Sequence, residues 1–351
     1  MKRVFSNRHR RNWLIGTIVV LALGIFFLMP TKYYLEIPGG ADRISKFVKV
    51  EGTRDNDKGS YRLMTVGVLG PASPAMLIWG QLQPFSETLT KNELMGSSTS
   101  AEYDELQNYY IKSAANSAVV AAFKAASLPV QIKYQGIYVM SIMAHSNFKG
   151  ELQLGDTVTA INGRHYDEAQ QYIDALKRFP AGTPVTITYT HRGKTQNSTN
   201  KLIHLPGTKR AGLGITLTDH TSVVTKPKVR INAGSIGGPS AGLMFALETY
   251  DQVSGKNLRR GRTIAGTGTI DNKGNVGVIG GIDKKVYAAS KAGATIFFAP
   301  DVPATKELKR EDPSYVNNYV EAQSTAKKMG SKMKIIPVHS LNEAIKYLQW
   351  H

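Results

Sequence analysis

Gly237-Gly238-Pro239-Ser240-Ala241-Gly242, read together with Gly280-Gly281-Ile282-Asp283-Lys284-Lys285, decides how this chain is organised. In the first stretch a glycine turn runs into a helix. Pro239 suits a first helical position, where the N–H it lacks would be unpaired in any case. Ser240 then falls within the first turn, where backbone N–H groups are free and the helix dipole presents its positive end. Free donors there are what a developing oxyanion needs, and N–H groups from Gly238 to Ala241 are the expected ones. The run Leu243-Met244-Phe245-Ala246-Leu247 is apolar and is expected to be buried. Taken alone, such a turn is equally an anion site or a plain glycine-rich helix start.

The second stretch changes that balance by placing Lys285 on another helix, 45 residues after Ser240. A serine with a lysine as its base is a nucleophile arrangement that uses no histidine. To act as a base near neutral pH the amine must lose its proton, which requires burial. Lys285 shares a helix face with Ile282, Ala288, Ala289 and Ala292, all apolar. Lys284 neighbours Tyr287, Ala288 and Lys291, a face expected to be solvated. Lys285 is therefore the expected desolvated amine, against the plain alternative that both lysines are surface charges.

Composition excludes other chemistries. The chain has 351 residues, room for two modest domains, and no cysteine. Disulfides, thiolate metal sites and a cysteine nucleophile are thereby ruled out. Its eight histidines show no H-E-x-x-H motif and no i, i+4 pair on a helix, so no metal is expected. The net charge of +18 is spread along the chain without a nucleic-acid motif. It suits an anionic envelope or membrane surface, and a salt-sensitive polymer binder is the function that charge alone supports.

Trp13 to Met29 carries no charge and is closed by Pro30. It reads as a short membrane span over 13–30. The arm 1–12 holds Lys2, Arg3, Arg8, Arg10 and Arg11 and no acid, which predicts a cytoplasmic N-terminus with everything after Pro30 outside. A cleaved signal peptide needs small residues just after the apolar run, and Met29 to Tyr34 offers none. Residues 31–100 look like strands and loops, with Tyr61 to Val68 alternating as a strand does. Glu102 to Ala126 reads as a long alanine-rich helix with Ser100 as its N-cap. From Gly212 onward strands and helices alternate: strands over 229–232, 263–270, 276–279, 295–300 and 334–338, helices from Pro239, over 282–291 and from Leu341.

Residues 128–205 form short strands around one helix, Asp167 to Phe179. The run Leu152 to Gly163, L-x-x-G-D-x-V-x-x-I-N-G, resembles a PDZ domain of the bacterial protease-associated type. In that family an extended peptide adds as a strand beside the helix, and N–H groups after a glycine cap its carboxylate. Gly136, Ile137, Tyr138 and Val139 occupy the place expected for that loop.

The stretches Gly238 to Gly242, Gly266 to Ile270 and Val278 to Ala289 resemble the proteolytic domain of Lon proteases. With the PDZ segment and the anchor, the chain resembles the PDZ-containing Lon-like proteases of Gram-positive bacteria, a group that includes streptococcal enzymes processing competence pheromone. The resemblance implies an α+β fold: a Lon-type proteolytic domain over 206–351 with the PDZ domain inserted, residues 31–127 packing with it, and one N-terminal transmembrane helix. It implies Ser240 as nucleophile, Lys285 as general base and Thr267 as the hydroxyl holding that lysine. Many Lon sequences carry an aspartate where this chain has Gly237. No G-x-x-x-x-G-K-[ST] occurs, so no nucleotide cofactor is expected. The expected activity is ATP-independent serine endopeptidase action on extracellular peptides or exposed protein segments, with the PDZ domain binding substrate. The alternative is an envelope scaffold or tether whose peptidase fold is inactive. Lon domains often form rings, which leaves a homo-oligomer open.

Overall fold

The computed structural model describes residues 7–53, 55, 57–208, 210–311 and 313–351. Lys2 and Arg3 of the basic arm lie outside the described residues. Helix α1 (Asn7–Leu28) contains the stretch Arg10–Leu28, which is long and apolar enough to cross a membrane and has none of its apolar window buried.

Strands β1 (Tyr33–Arg43) and β2 (Ser60–Leu69) follow, then helix α2 (Pro74–Gln81), strand β3 (Glu87–Thr90) and the long helix α3 (Ser100–Ala125). The N-cap of α3 is Thr99, one residue before the expected Ser100. Thr99 has Glu102 three residues on, so hydroxyl and carboxylate cap each other's N–H groups reciprocally. Ser100 would have needed a glutamate where Tyr103 stands.

Strands β4 (Val130–Ile142) and β5 (Thr157–Ile161), helix α4 (Ala169–Leu176), and strands β6 (Pro184–His191), β7 (Lys194–Lys201) and β8 (Ile215–Thr225) come next. They build an antiparallel sheet in the order β8-β4-β5-β6-β7. Asn162 and Gly163, at φ +49° and +78°, supply the tight turn after β5 that their dipeptide predicts. The edge strand β8 lies beyond residue 205, where the sequence pattern places the domain end. Its alternation holds only from Ile215 to Thr218 and breaks at Asp219, where an apolar residue is due, so the full strand does not read as one by itself.

The remainder comprises helix α5 (Gly242–Ser254), strand β9 (Thr263–Gly266), helix α6 (Ile282–Lys291), strand β10 (Ile296–Pro300), helix α7 (Asn318–Lys328), strand β11 (Lys334–Val338) and helix α8 (Leu341–Trp350). One six-stranded sheet, β11-β10-β9-β2-β1-β3, joins strands from both ends of the chain. Its β11, β10, β9 and β2 run parallel, and β1 pairs antiparallel with β2 and β3. Leu243, Met244, Phe245, Ala246 and Leu247 of α5 are fully buried in the main core. Ile282, Val286 and Ala289 of α6 pack on the other side with Phe297 and Ala299 of β10. The expected strand 263–270 breaks after Gly266. Thr267 and Gly268 leave the sheet there to meet Ser240, and the strand expected over 276–279 is reduced to Val276–Gly277.

Candidate active site

Pro239, Ser240 and Ala241 form a single 3-10 turn feeding α5. Gly238 precedes it at φ +84°, a conformation that favours glycine. The Ser240 carbonyl accepts from Thr267 Oγ1 at 3.0 Å and from the Gly268 N–H at 2.9 Å, which binds the turn to the end of β9.

Lys285 projects from the first turn of α6 into this junction. Its Nζ lies 2.8 Å from Ser240 Oγ and 3.2 Å from Thr267 Oγ1. Thr267 spends its hydroxyl hydrogen on the Ser240 carbonyl, so its oxygen is left to accept an N–H from Lys285. The two contacts together hold the amine beside the Ser240 hydroxyl. Lys285 is 3% exposed, and burial pushes its pKa down to about 7 against the opposing pull of Glu36.

The expectation for Lys284 is overturned. It is as buried as Lys285, at 3% exposure. Burial presses its pKa down, but Asp283 at 3.5 Å, Glu87 at 3.0 Å and Glu36 at 3.8 Å outweigh that and hold it above the ordinary lysine range. Glu36 on β1 and Glu87 at the start of β3 come from far along the chain, so the helix pattern could not reveal them. Burial thus lowers the pKa of Lys285, while carboxylate partners raise that of its neighbour Lys284. Lys284→Gln removes a cation beside Lys285 and frees the Glu36 carboxylate, and both changes favour a protonated Lys285. The pH midpoint of any Lys285-dependent activity is expected to rise by about half a unit to one unit, as measured by a pH–rate profile.

The serine opens on a cleft of about 1080 Å³. One wall is β2 from Met64 to Val68, and the other is the loop from Gly234 to Gly238. Beyond Leu63, β2 has no partner on its β9 side among the described residues, so a row of backbone groups faces the cleft. The Gly238 N–H is not a free donor: it bonds the Gln107 carbonyl of α3 at 3.0 Å. The Ser240 N–H has no partner among the described residues, and Ala241 lies buried on the same turn. Gly237 packs against α3 so closely that a Cβ there would sit 2.7 Å from Gln107 Cβ. An aspartate at 237 does not fit this arrangement. Glu36, Glu87 and Gln107 were not legible as site residues from sequence.

The PDZ expectation is corrected in place. Gly136, Ile137, Tyr138 and Val139 lie in mid-strand, paired with β8 on one side. On the other, Ile137 and Tyr138 pair with β5, and Val139 exchanges backbone bonds with Gly155 and Asp156. A strand with both edges filled cannot accept another. The strand with an open edge beside α4 is β8, which follows Gly212-Leu213-Gly214. Part of that edge is covered by α3: Tyr109 donates to the Asp219 carbonyl and Asn116 to the Thr221 carbonyl. Ile215 to Thr218 have no backbone partner there among the described residues. The two glycines around Leu213 were the available sequence signal.

Among the described residues no cluster of histidine, aspartate and glutamate is arranged to hold a metal.

A family profile described as "PDZ domain" matches residues 97–202, and one described as "Lon protease (S16) C-terminal proteolytic domain" matches residues 208–348. The Lon protease of Citrifermentans bemidjiense is 38% identical over 96 residues, covering 26% of this chain and 12% of that protein. That of Trichlorobacter lovleyi is 28% identical over 120 residues, covering 34% and 13%. The chain therefore spans little more than a tenth of the length of these curated relatives. Among solved structures, the PDZ domain of the SdrC-like protein of Listeria monocytogenes is 32% identical and covers 25% of this chain and 92% of that one, with a TM-score of 0.24. The chain joins a PDZ domain to a C-terminal proteolytic domain of the Lon (S16) serine peptidases.

Proposed function

We propose that this protein is a membrane-anchored serine endopeptidase that works outside the cytoplasm without ATP. The observation carrying this reading is the 2.8 Å contact between the buried Lys285 amine and the Ser240 hydroxyl. Neutral Lys285 takes the hydroxyl proton as Ser240 Oγ attacks the scissile carbonyl. The Ser240 N–H, at the positive end of the α5 dipole, faces the oxyanion. Collapse of the tetrahedral intermediate breaks the C–N bond, and the Lys285 ammonium returns its proton to the leaving amine. Water then hydrolyses the acyl-enzyme, with Lys285 again as base. Thr267 holds the amine in register throughout.

The open edge of β2 from Met64 to Val68 accepts substrate as an added strand, which admits peptides, loops and unfolded tails and excludes folded domains. The exposed edge of β8 from Ile215 binds a peptide C-terminus beside α4 in the same manner. The uncharged part of helix α1, from Trp13 to Leu28, following Arg8, Arg10 and Arg11, supports a single span with the N-terminus inside.

The test compares wild type with Ser240→Ala on an unstructured peptide mixture read by mass spectrometry. Cleavage by the first and none by the second is expected. Equal cleavage by both overturns the mechanism, and no cleavage by either favours a PDZ tether with a silent peptidase fold.

A further inference from the structure

Between Arg62 and Glu87 the chain runs for 24 residues without a charged side chain, although 20% of the whole is charged. Helix α2 lies inside this run. Its inner side is tight: Gly80 is buried, and a Cβ there would sit 2.7 Å from Leu35. Its outer side carries Ile78, Trp79 and Leu82, exposed to 54%, 43% and 77%. Positions 78 and 82 are one helical turn apart and share a face with 79 beside them. An apolar surface of that kind on one short helix marks a contact site.

What covers it follows from where α2 sits. The chain leaves α1 at Leu28, and three residues later the Thr31 N–H and hydroxyl both donate to the Ala72 carbonyl, at 2.9 and 2.7 Å. Ala72 in turn donates to the Tyr33 carbonyl at 2.8 Å. Ala72 is two residues before α2 begins, and α1 and α2 are in contact. The helix is thus pinned at the level where the span ends. Exposed Lys32 and Lys91 flank it, joined by the bond from the Lys91 N–H to the Lys32 carbonyl. A tryptophan among aliphatic residues, with lysines alongside and no acid within the run, is the composition of a segment at the boundary of headgroups and acyl chains.

We propose that α2 is an interfacial helix that dips Ile78, Trp79 and Leu82 into the outer leaflet, so that the proteolytic sheet is seated on the lipid surface at two points. This rests on the reading of α1 as a membrane span. Seating fixes β1, and with it the Glu36 side of the cleft, near the bilayer. Substrate segments that emerge from or lie on the membrane then meet the cleft directly.

The three tryptophans Trp13, Trp79 and Trp350 are separate reporters: one at the far end of α1, one on α2, one at the opposite C-terminus, 83% exposed. Single-tryptophan forms of the full chain, made by replacing the other two with phenylalanine, are reconstituted into phosphatidylcholine vesicles. The acyl chains are brominated at shallow or at deep positions. Trp79 fluorescence is expected to fall by roughly half, more with shallow bromines than with deep ones, as for a side chain at the interface. Trp350 is expected to be unaffected and Trp13 to be quenched.

Quenching of Trp13 without quenching of Trp79 overturns the inference and leaves the anchor standing. Quenching of neither removes both. Quenching of Trp79 alone removes the span and, with it, the seating at two points, and so overturns the inference as stated. If Trp79 is shielded from lipid bromine and from aqueous acrylamide alike, the face is a contact between copies of the chain and the inference falls. Ile78→Asp combined with Leu82→Asp is expected to abolish quenching at Trp79 while leaving Trp13 quenched, and persistence of the Trp79 signal contradicts the assignment.

Discussion

Lys285→Met is expected to abolish peptide cleavage and, at the same time, to make the folded protein more stable. Loss of a nucleophile's base lowers kcat/KM on the order of 10⁴-fold or more, because the two groups act as one unit. The gain in stability comes from the same burial that equips the amine. Its folded pKa is about 7, against the ordinary lysine value of 10.5. Between those values the unfolded chain binds one more proton than the native state, so the stability of the wild type rises with pH across that window. The cost of burying the amine is fully present below about pH 7 and vanishes above about 10.5; at pH 7 it corresponds to roughly 4 kcal/mol. Methionine keeps an apolar stem of similar length and carries no charge. Denaturant unfolding should show the variant ahead of wild type at pH 7, with the gap closing toward pH 10. A variant no more stable than wild type at pH 7 would mean that the amine is well solvated.

The second large effect concerns the far end of α5, the helix that follows the Ser240 turn. Arg259 is 4% exposed and forms ion pairs with Asp55, Asp57 at 3.2 Å and Asp251 at 3.6 Å. Glu248 lies buried nearby, its pKa pushed up to about 7 by burial. Arg259→Met leaves these carboxylates without their cation. Removing one partner of a buried ion pair costs about 3–5 kcal/mol, and a loss of that size is expected at pH 7.5. Arg259 favours the ionised forms of Asp55, Asp251 and Glu248, so without it these carboxylates take up protons at higher pH than in the wild type, which relieves the unpaired charge on acidification. The deficit of the variant should therefore shrink at pH 5. A thermal melt at the two pH values measures it, and a deficit that grows on acidification would contradict the charge assignment.

Local patterns carried much of this molecule, and the limits of local pattern explain the rest. The proline in a first turn, the apolar run behind Ser240 and the apolar face of Lys285 are properties of residues within one helical turn, and the sequence displays them. Lys284 was misread because its three carboxylate partners include Glu87 and Glu36, about 200 and 250 residues away along the chain. Burial with paired charges leaves no mark on a single helix. Gly136 to Val139 show that a strand is legible from alternation while its free edge is not. Which edge stays open depends on β8 coming back to pair with β4. Gln107 is a third case. Nothing in an alanine-rich helix announces that one carbonyl will take the Gly238 N–H and that one side chain will leave no room for a Cβ at Gly237. The same helix covers part of the β8 edge through Tyr109 and Asn116 and lines the cleft beside Ser240 with Tyr103 and Gln107.

The most direct test of a neutral amine acting on Ser240 is kcat/KM as a function of pH, with a peptide that has no titrating group between pH 5 and 10. Activity should rise tenfold per unit on the acid side and level off above a midpoint near 7, where Lys285 loses its proton. A midpoint near 10, or a rate indifferent to pH over that range, would contradict the account.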